Sequence, residues 1–326
     1  MRSHAQRDAR AEQGLAWARA QLSRPALALR PLAGDASFRR YFRLEDGPSS
    51  WVLMDAPPER EDSTPFLDVT LRLRSAGLHA PRIDAADTKG GFLLLEDLGD
   101  QLLREVLTAN SADHWFAELL DLLAQLATTV AVDGLATYDR PRLQAELELF
   151  PEWYLGRHKN IQLSCSQLDL WEDLATRLMV SAEAQPQAFV HRDFHSCNLL
   201  VLPDGQLAVI DYQDAVLGPL SYDLASLLWD RYISWPRNRI EAWSETFRQR
   251  AAPSFDPAGW QRAVDWMGLQ RNLKIVGIFA RLHHRDGKTG YLDLIPRFWG
   301  YVRETLKRYE DFHAFDQLLE ELACAP

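Results

Sequence analysis

Cysteine, lysine near the N-terminus, long apolar runs and net positive charge are all scarce in this chain, and each shortage excludes something. The three cysteines, Cys165, Cys197 and Cys324, are an odd number without a framework. A disulfide scaffold is therefore excluded and a reducing compartment expected. Cys197 is a candidate nucleophile, but no base-and-orienter arrangement singles it out, so it reads as a small loop residue. No apolar stretch approaches the length of a membrane span, and the opening M-R-S-H-A-Q-R-D-A-R-A-E-Q is too polar for a signal peptide. A cytoplasmic protein that binds no membrane is expected. With 36 Lys and Arg against 46 Asp and Glu, the net charge of -10 argues against a nucleic-acid partner. There are no internal repeats or low-complexity tracts. What remains is a globular chain of 326 residues, 47% hydrophobic, long enough for one large domain or two ordinary ones.

The most informative stretch runs from Ala188 to Asp223. Asp193 is followed five positions on by Asn198, and Asp211 closes an apolar run. This is the layout that phosphoryl transfer from Mg-ATP requires. Asp193 at a loop tip is the candidate base that accepts a hydroxyl proton. Mg²⁺ takes hard oxygen ligands and keeps much of its water, so Asn198 and Asp211 suffice as its protein ligands. Leu199 to Leu202 and Gln206 to Ile210 flank Pro203-Asp204-Gly205 and predict a β-hairpin, with Asn198 before its first strand and Asp211 after its second. His191 and His195 also have the i, i+4 spacing of half a helical zinc site, but strand-like runs surround them and no third ligand stands out. His191 is read as a packed loop residue. Asp223, after Gly218-Pro219, either ties the catalytic loop down or caps a helix.

Upstream, residues 5 to 22 predict an amphipathic helix. A strand, a glycine-bearing turn at 34 to 37 and a second strand at 38 to 44 follow. Such a turn covers phosphates in kinases, which makes Gly34 and Ser37 nucleotide-binding candidates. The strand Ser50 to Asp55 is where a kinase carries its phosphate-gripping lysine, yet Met54 stands near that place and no lysine precedes Lys89. Arg39, Arg40 and Arg43 are the available cations, with Arg39 and Arg43 taken as nucleotide candidates. The strand Gly91 to Leu95 ends at Glu96-Asp97-Leu98, where the backbone of Glu96 and Leu98 would meet the adenine edge. After residue 100 long helical periods take over, including Ala112 to Thr129 and Pro141 to His158. The predicted fold is α+β and two-lobed, protein-kinase-like. Residues 1-98 form a small antiparallel sheet lobe that covers the nucleotide, and 99-326 a larger, mostly helical lobe with the catalytic loop, metal ligands and substrate site. Among the later aromatics, Trp153 is the candidate for stacking on a sugar.

H-R-D-F-H-S-C-N at 191 to 198, V-I-D-Y-Q-D at 209 to 214 and G-P-L-S-Y-D-L-A at 218 to 225 resemble the aminoglycoside phosphotransferase and choline kinase superfamily. L-M-D-A-P-P-E-R-E-D at 53 to 62, F-P-E-W-Y-L at 150 to 155 and L-L-W-D-R-Y-I-S-W-P at 227 to 236 are similar to the bacterial anomeric kinases of cell-wall recycling. That resemblance implies ATP and Mg²⁺ as cofactors and the C1 hydroxyl of N-acetylmuramic acid or N-acetylglucosamine as acceptor. It implies Asp193 as base and Asn198 and Asp211 as metal ligands. The substrate set is Trp153, Arg192, His195 and Asp214, with His191 and Asp223 structural and a monomer expected. Arg192 and Ser196-Cys197 stand where aminoglycoside enzymes commonly have Gly and Pro-Gly, which sets an antibiotic substrate apart. Two other readings are a kinase of an aminoglycoside or choline-like alcohol and, because the lysine is missing, a nucleotide-binding pseudokinase.

Overall fold

Alternation along Arg40–Asp46 divides its side chains between two faces, and the neighbouring strands continue the rows. The structure, a computed structural model, describes residues 8–32, 38–323 and 326. They fall into two units, one made of the residues up to Leu102 together with Leu199–Asp214, the other of Leu103–Asn198 with Ala215–Pro326. Residues 199–214 thus group with the sheet and not with the helices around them in sequence.

The first unit begins with α1 (Ala9–Leu22). Strands β1 (Ala28–Pro31), β2 (Arg40–Asp46) and β3 (Ser49–Asp55) come next, then α2 (Thr64–Ser75), β4 (Ile83–Asp87) and β5 (Phe92–Glu96). The antiparallel sheet has the order β1-β2-β3-β5-β4. Pairing sets Phe42 opposite Leu53 and Leu53 opposite Leu94, an apolar row covered by Ala11, Leu15 and Ala18 of α1. The helix lies so close that a Cβ on Gly14 would stand 2.9 Å from both Leu53 and Phe92. The next row along, on the opposite face, is Arg43, Val52 and Leu95. Strand β4 was not foreseen, because I-D-A-A-D carries one large apolar residue and alternates only weakly.

The second unit holds α3 (Leu103–Val106), α4 (Ala112–Thr129) and α5 (Arg140–Leu147), a π-helical stretch (Phe150–His158), and α6 (Cys165–Glu183). Strand β6 (Gln187–Val190) follows. The hairpin strands β7 (Leu199–Val201) and β8 (Leu207–Val209) belong to the first unit. The chain then continues with β9 (Val216–Pro219), α7 (Tyr222–Leu228), α8 (Arg237–Ala251), α9 (Pro257–His284), α10 (Ile295–Arg308) and α11 (His313–Glu321). The single helical period expected over Pro141 to His158 is two segments. Pro151 has no N–H to donate, and the ladder past it reopens with the wider π pitch. Gly218-Pro219 is the end of β9, paired with Gln187 and Ala188 of β6, and the helix starts only after it. Among the described residues no helix is long and apolar enough to cross a membrane.

Candidate active site

The loop from His191 to Asn198 leaves β6 and is held by carboxylates that accept from its backbone. Asp223, in the first turn of α7, accepts from the N–H of His191 at 2.6 Å and of Arg192 at 3.0 Å. Of the two readings left open for Asp223, these bonds give it the loop. Burial pushes its carboxyl up to about 6, against the pull of His191 and the two amides. Asp230 accepts from Ser196 N–H at 3.2 Å and Ser196 Oγ at 2.7 Å. Between these anchors Arg192 takes the left-handed conformation, φ 77°, which strains a non-glycine residue. Its guanidinium meets Glu146 at 3.0 Å, and Glu146 also receives Lys274 at 2.9 Å and the Tyr138 hydroxyl. Lys274 donates to Tyr222 Oη at 3.0 Å. Arg192 thus sits in an ion-pair cluster with Glu146 and Lys274.

Asp193 presents its side chain at the surface of a cavity of about 210 Å³. Desolvation by surrounding protein raises its carboxyl, but Lys274, His195, Arg271 and His191 outweigh that, so it sits below the ordinary carboxylate range. The cavity is lined further by His195, Arg271 and Lys274, and by Ile275, Ile278 and Phe279 of α9. His195 is buried. Desolvation first, then Arg231, lowers its imidazole to about 4, so it is neutral near pH 7. His195 Nδ1 accepts from Cys197 N–H at 3.3 Å, and its Nε2 lies 3.3 Å from Arg231. Burial pushes the Cys197 thiol up, away from the thiolate a nucleophile needs. Trp153 is not among the lining residues, and neither is Arg192. The aromatic rings there come instead from Tyr222, Phe279, Tyr291 and Phe298.

Asn198 donates its side-chain amide to the Asp193 carbonyl at 2.9 Å, and its oxygen is the atom left for a cation. In the first unit Asp211 follows β8 with φ 63°, and Gln213 donates to its Oδ1 at 2.9 Å, which leaves Oδ2. Tyr212 beside it stacks on Phe66 of α2 and hydrogen-bonds Thr70 at 2.8 Å, fixing the backbone from which Asp211 projects. Each of these is a hard oxygen, the kind of ligand Mg²⁺ takes. Among the described residues no group of three or more His, Cys, Asp or Glu is placed to hold a metal.

The first unit contains a larger groove, about 1060 Å³, lined by Arg43, Ser50 and the segment Glu96 to Gln101. It holds Glu96 and Leu98, whereas Asp193 lines the smaller cavity. Gly34 and Ser37 lie outside the described residues. Arg43 is bracketed by Asp97 at 2.6 Å and Asp100 at 2.5 Å, so it braces this segment and is not free for phosphate. Arg40 is bonded to Asp55 and Asp8. Arg39 has a looser pairing with Glu61 at 3.9 Å. Met54 is fully buried. Asp214 is exposed in the first unit.

Glu146, Arg271 and Lys274 were missed by sequence reasoning. The signal that could have found two of them is the pair of cations three apart in α9 that leads into an apolar run, L-Q-R-N-L-K-I-V-G-I-F.

Comparisons with known proteins identify the family. The chain is 41% identical over 303 residues to an N-acetylmuramate/N-acetylglucosamine kinase of Pseudomonas putida, covering 91% of this chain and 89% of the relative. It is 43% identical over 305 residues to a protein of the same name from Pseudomonas aeruginosa, with the same coverage. Among solved structures, an ethanolamine kinase of Plasmodium vivax matches with a TM-score of 0.65 at 12% identity, covering 91% of this chain and 87% of that one. The ADP-bound aminoglycoside phosphotransferase APH(2'')-Ib matches with a TM-score of 0.61 at 15% identity, covering 89% and 96%. These two share the fold, a small antiparallel sheet unit and a larger helical one in the manner of protein kinases. The profile of the phosphotransferase enzyme family spans residues 28–263, and on that match the chain belongs to the phosphotransferase enzyme family.

Proposed function

We propose that the protein transfers the γ-phosphoryl group of ATP to the anomeric C1 hydroxyl of N-acetylmuramic acid and N-acetylglucosamine, an activity suited to peptidoglycan recycling in the cytoplasm. The observation that carries this reading is Asp193. It is an ionised carboxylate on the wall of a sugar-sized cavity, in a chain more than 40% identical to kinases of those two sugars.

Asp193 would accept the proton of the C1 hydroxyl as its oxygen attacks phosphorus. A carboxylate of low basicity suits a loose phosphoryl transition state, in which the proton moves late and orientation matters most. His195, neutral near pH 7, bounds the cavity beside Asp193. Asn198 and Asp211 are the proposed Mg²⁺ ligands. Bound there, the ion would neutralise charge developing on the phosphates. In the sheet unit, Glu96 already donates its backbone N–H to the Arg82 carbonyl at 2.8 Å. An adenine edge laid on this segment would then meet the Leu98 amide. Arg39 is our candidate for the phosphate-facing cation, with Gly34 and Ser37 as further candidates for contacts to the phosphates. Asp214 and Trp153 remain candidates for outer contacts to the sugar.

The test is incubation of the purified protein with Mg-ATP and each sugar, with phosphorus NMR as readout. A sugar 1-phosphate is expected with both, and removal of Mg²⁺ by a chelator should stop its formation. Absence of product with either sugar would overturn the substrate assignment.

A further inference from the structure

Buried cations in this protein come with buried or half-buried carboxylates: Arg192 and Lys274 with Glu146, Arg237 with Asp265, Arg43 with Asp97. Arg271 differs. It is 5% exposed, lies one turn before Lys274 on α9, and among the described residues it has no hydrogen bond or ion pair. It lines the same cavity as Asp193 and acts on that carboxylate only through its field. A guanidinium largely withdrawn from bulk solvent, facing a cavity with no carboxylate in contact, is placed to take an anion from whatever enters. Beside it stand Ile275, Ile278 and Phe279, and the buried Ser226 hydroxyl, which is also without a partner.

Resting on the substrate reading above, the two acceptors differ in one respect. N-acetylmuramic acid carries an ether-linked lactyl group ending in a carboxylate, and N-acetylglucosamine has a hydroxyl there. We infer that Arg271 is the residue that reads this difference. Its planar fork binds the lactyl carboxylate while Asp193, on the same cavity wall, takes the C1 hydroxyl. The lactyl methyl packs against the isoleucines. Arg271 is thus a specificity-determining residue, and the unpaired charge is completed by the muramyl substrate alone.

The experiment measures kcat/KM for both sugars, and for the methyl ester of N-acetylmuramic acid, with the native protein, Arg271→Met and Arg271→Lys. In Arg271→Met the ratio of kcat/KM for N-acetylmuramic acid to that for N-acetylglucosamine should fall by about 10²-fold, the effect of losing a charge-assisted pair. Arg271→Lys should recover part of the ratio. The ester should lose a similar factor with the native protein and little more with Arg271→Met. A fall of equal size for both sugars, or a rise confined to the KM for ATP, would mean that Arg271 serves the phosphoryl group or Asp193 and would overturn the inference. The ester arm needs only native protein, so it decides even if Arg271→Met fails to fold: an ester as good as the acid sinks the proposal. Native protein that phosphorylates neither sugar defeats the substrate reading itself. Native protein that phosphorylates both, with a ratio unmoved in Arg271→Met, defeats only the role of Arg271.

Discussion

Asp193 can act as a base only while the loop around it holds a strained course, and two neighbouring residues test this at the level of single side chains. Asp193→Asn keeps the shape and removes the acceptor, so kcat should fall by about 10² to 10⁴-fold with little change in sugar KM. Steady-state kinetics would check it, and unchanged turnover would remove the residue from its role. His195 makes a prediction about pH. Its native imidazole titrates at about 4 against the ordinary 6.5, so between those values the unfolded chain takes up a proton that the native protein refuses. Stability from this residue is therefore present above about 6.5 and lost as pH falls to about 4. Asp223 acts in the opposite sense, its carboxyl being raised from 3.8 to about 6. Melting temperatures across pH 4 to 7 should fall less steeply toward acid in His195→Gln than in the native protein. An identical slope in both would show that His195 is not held neutral. Asp193, Asn198 and Asp211 could be proposed from the sequence because the chemistry asked of them fixes their spacing along one stretch. Arg271 was not legible, because its meaning depends on having no partner, and partners are a property of the fold.

Elements were legible in proportion to how local their signals are. The hairpin β7–β8 announced itself through Asp204-Gly205, where Gly205 takes φ 86° at the turn. The strand β9 did not, since its partner β6 lies some thirty residues away and Gly-Pro reads as a turn out of context. The π-helical stretch was likewise hidden, its apolar spacing being close to that of an α-helix. Helix α9 passes this stretch so closely that a Cβ on Gly277 would stand 2.4 Å from the Leu149 carbonyl carbon and oxygen. Alanine is favoured over glycine inside a helix by about 1 kcal/mol, whereas overpacking against backbone costs about 1 to 3 kcal/mol or more. Gly277→Ala should therefore lower stability despite better propensity, by about 1 to 2 kcal/mol in denaturant unfolding. A gain in stability would mean that the two helices move apart freely.

At the scale of the whole molecule, the shift from short strands to long helical periods near residue 100 was visible in the sequence. The return of residues 199–214 to the sheet unit was not, since no composition marks it. Among the interactions that secure that return are Val201 N–H to the Gln101 carbonyl at 2.8 Å, Val209 N–H to the His79 carbonyl at 2.8 Å, and Thr70 and Phe66 with Tyr212. A fragment ending at residue 102 lacks them all. It should show no cooperative melting by circular dichroism, whereas a chain in which residues 199–214 are joined after residue 102 by a flexible linker should recover one. Cooperative melting of the short fragment would show that the sheet needs no hairpin.

The same excursion of the chain sets a timetable for its birth. The ribosome emits the five-stranded sheet early, but the hairpin that completes its unit emerges only after more than a hundred further residues. At about 5 to 20 residues synthesised per second this leaves the sheet unfinished for on the order of ten seconds. During that interval His79, Gln101 and the apolar side of α2 wait uncovered. The nascent sheet is then the part of this protein that a chaperone has most reason to hold.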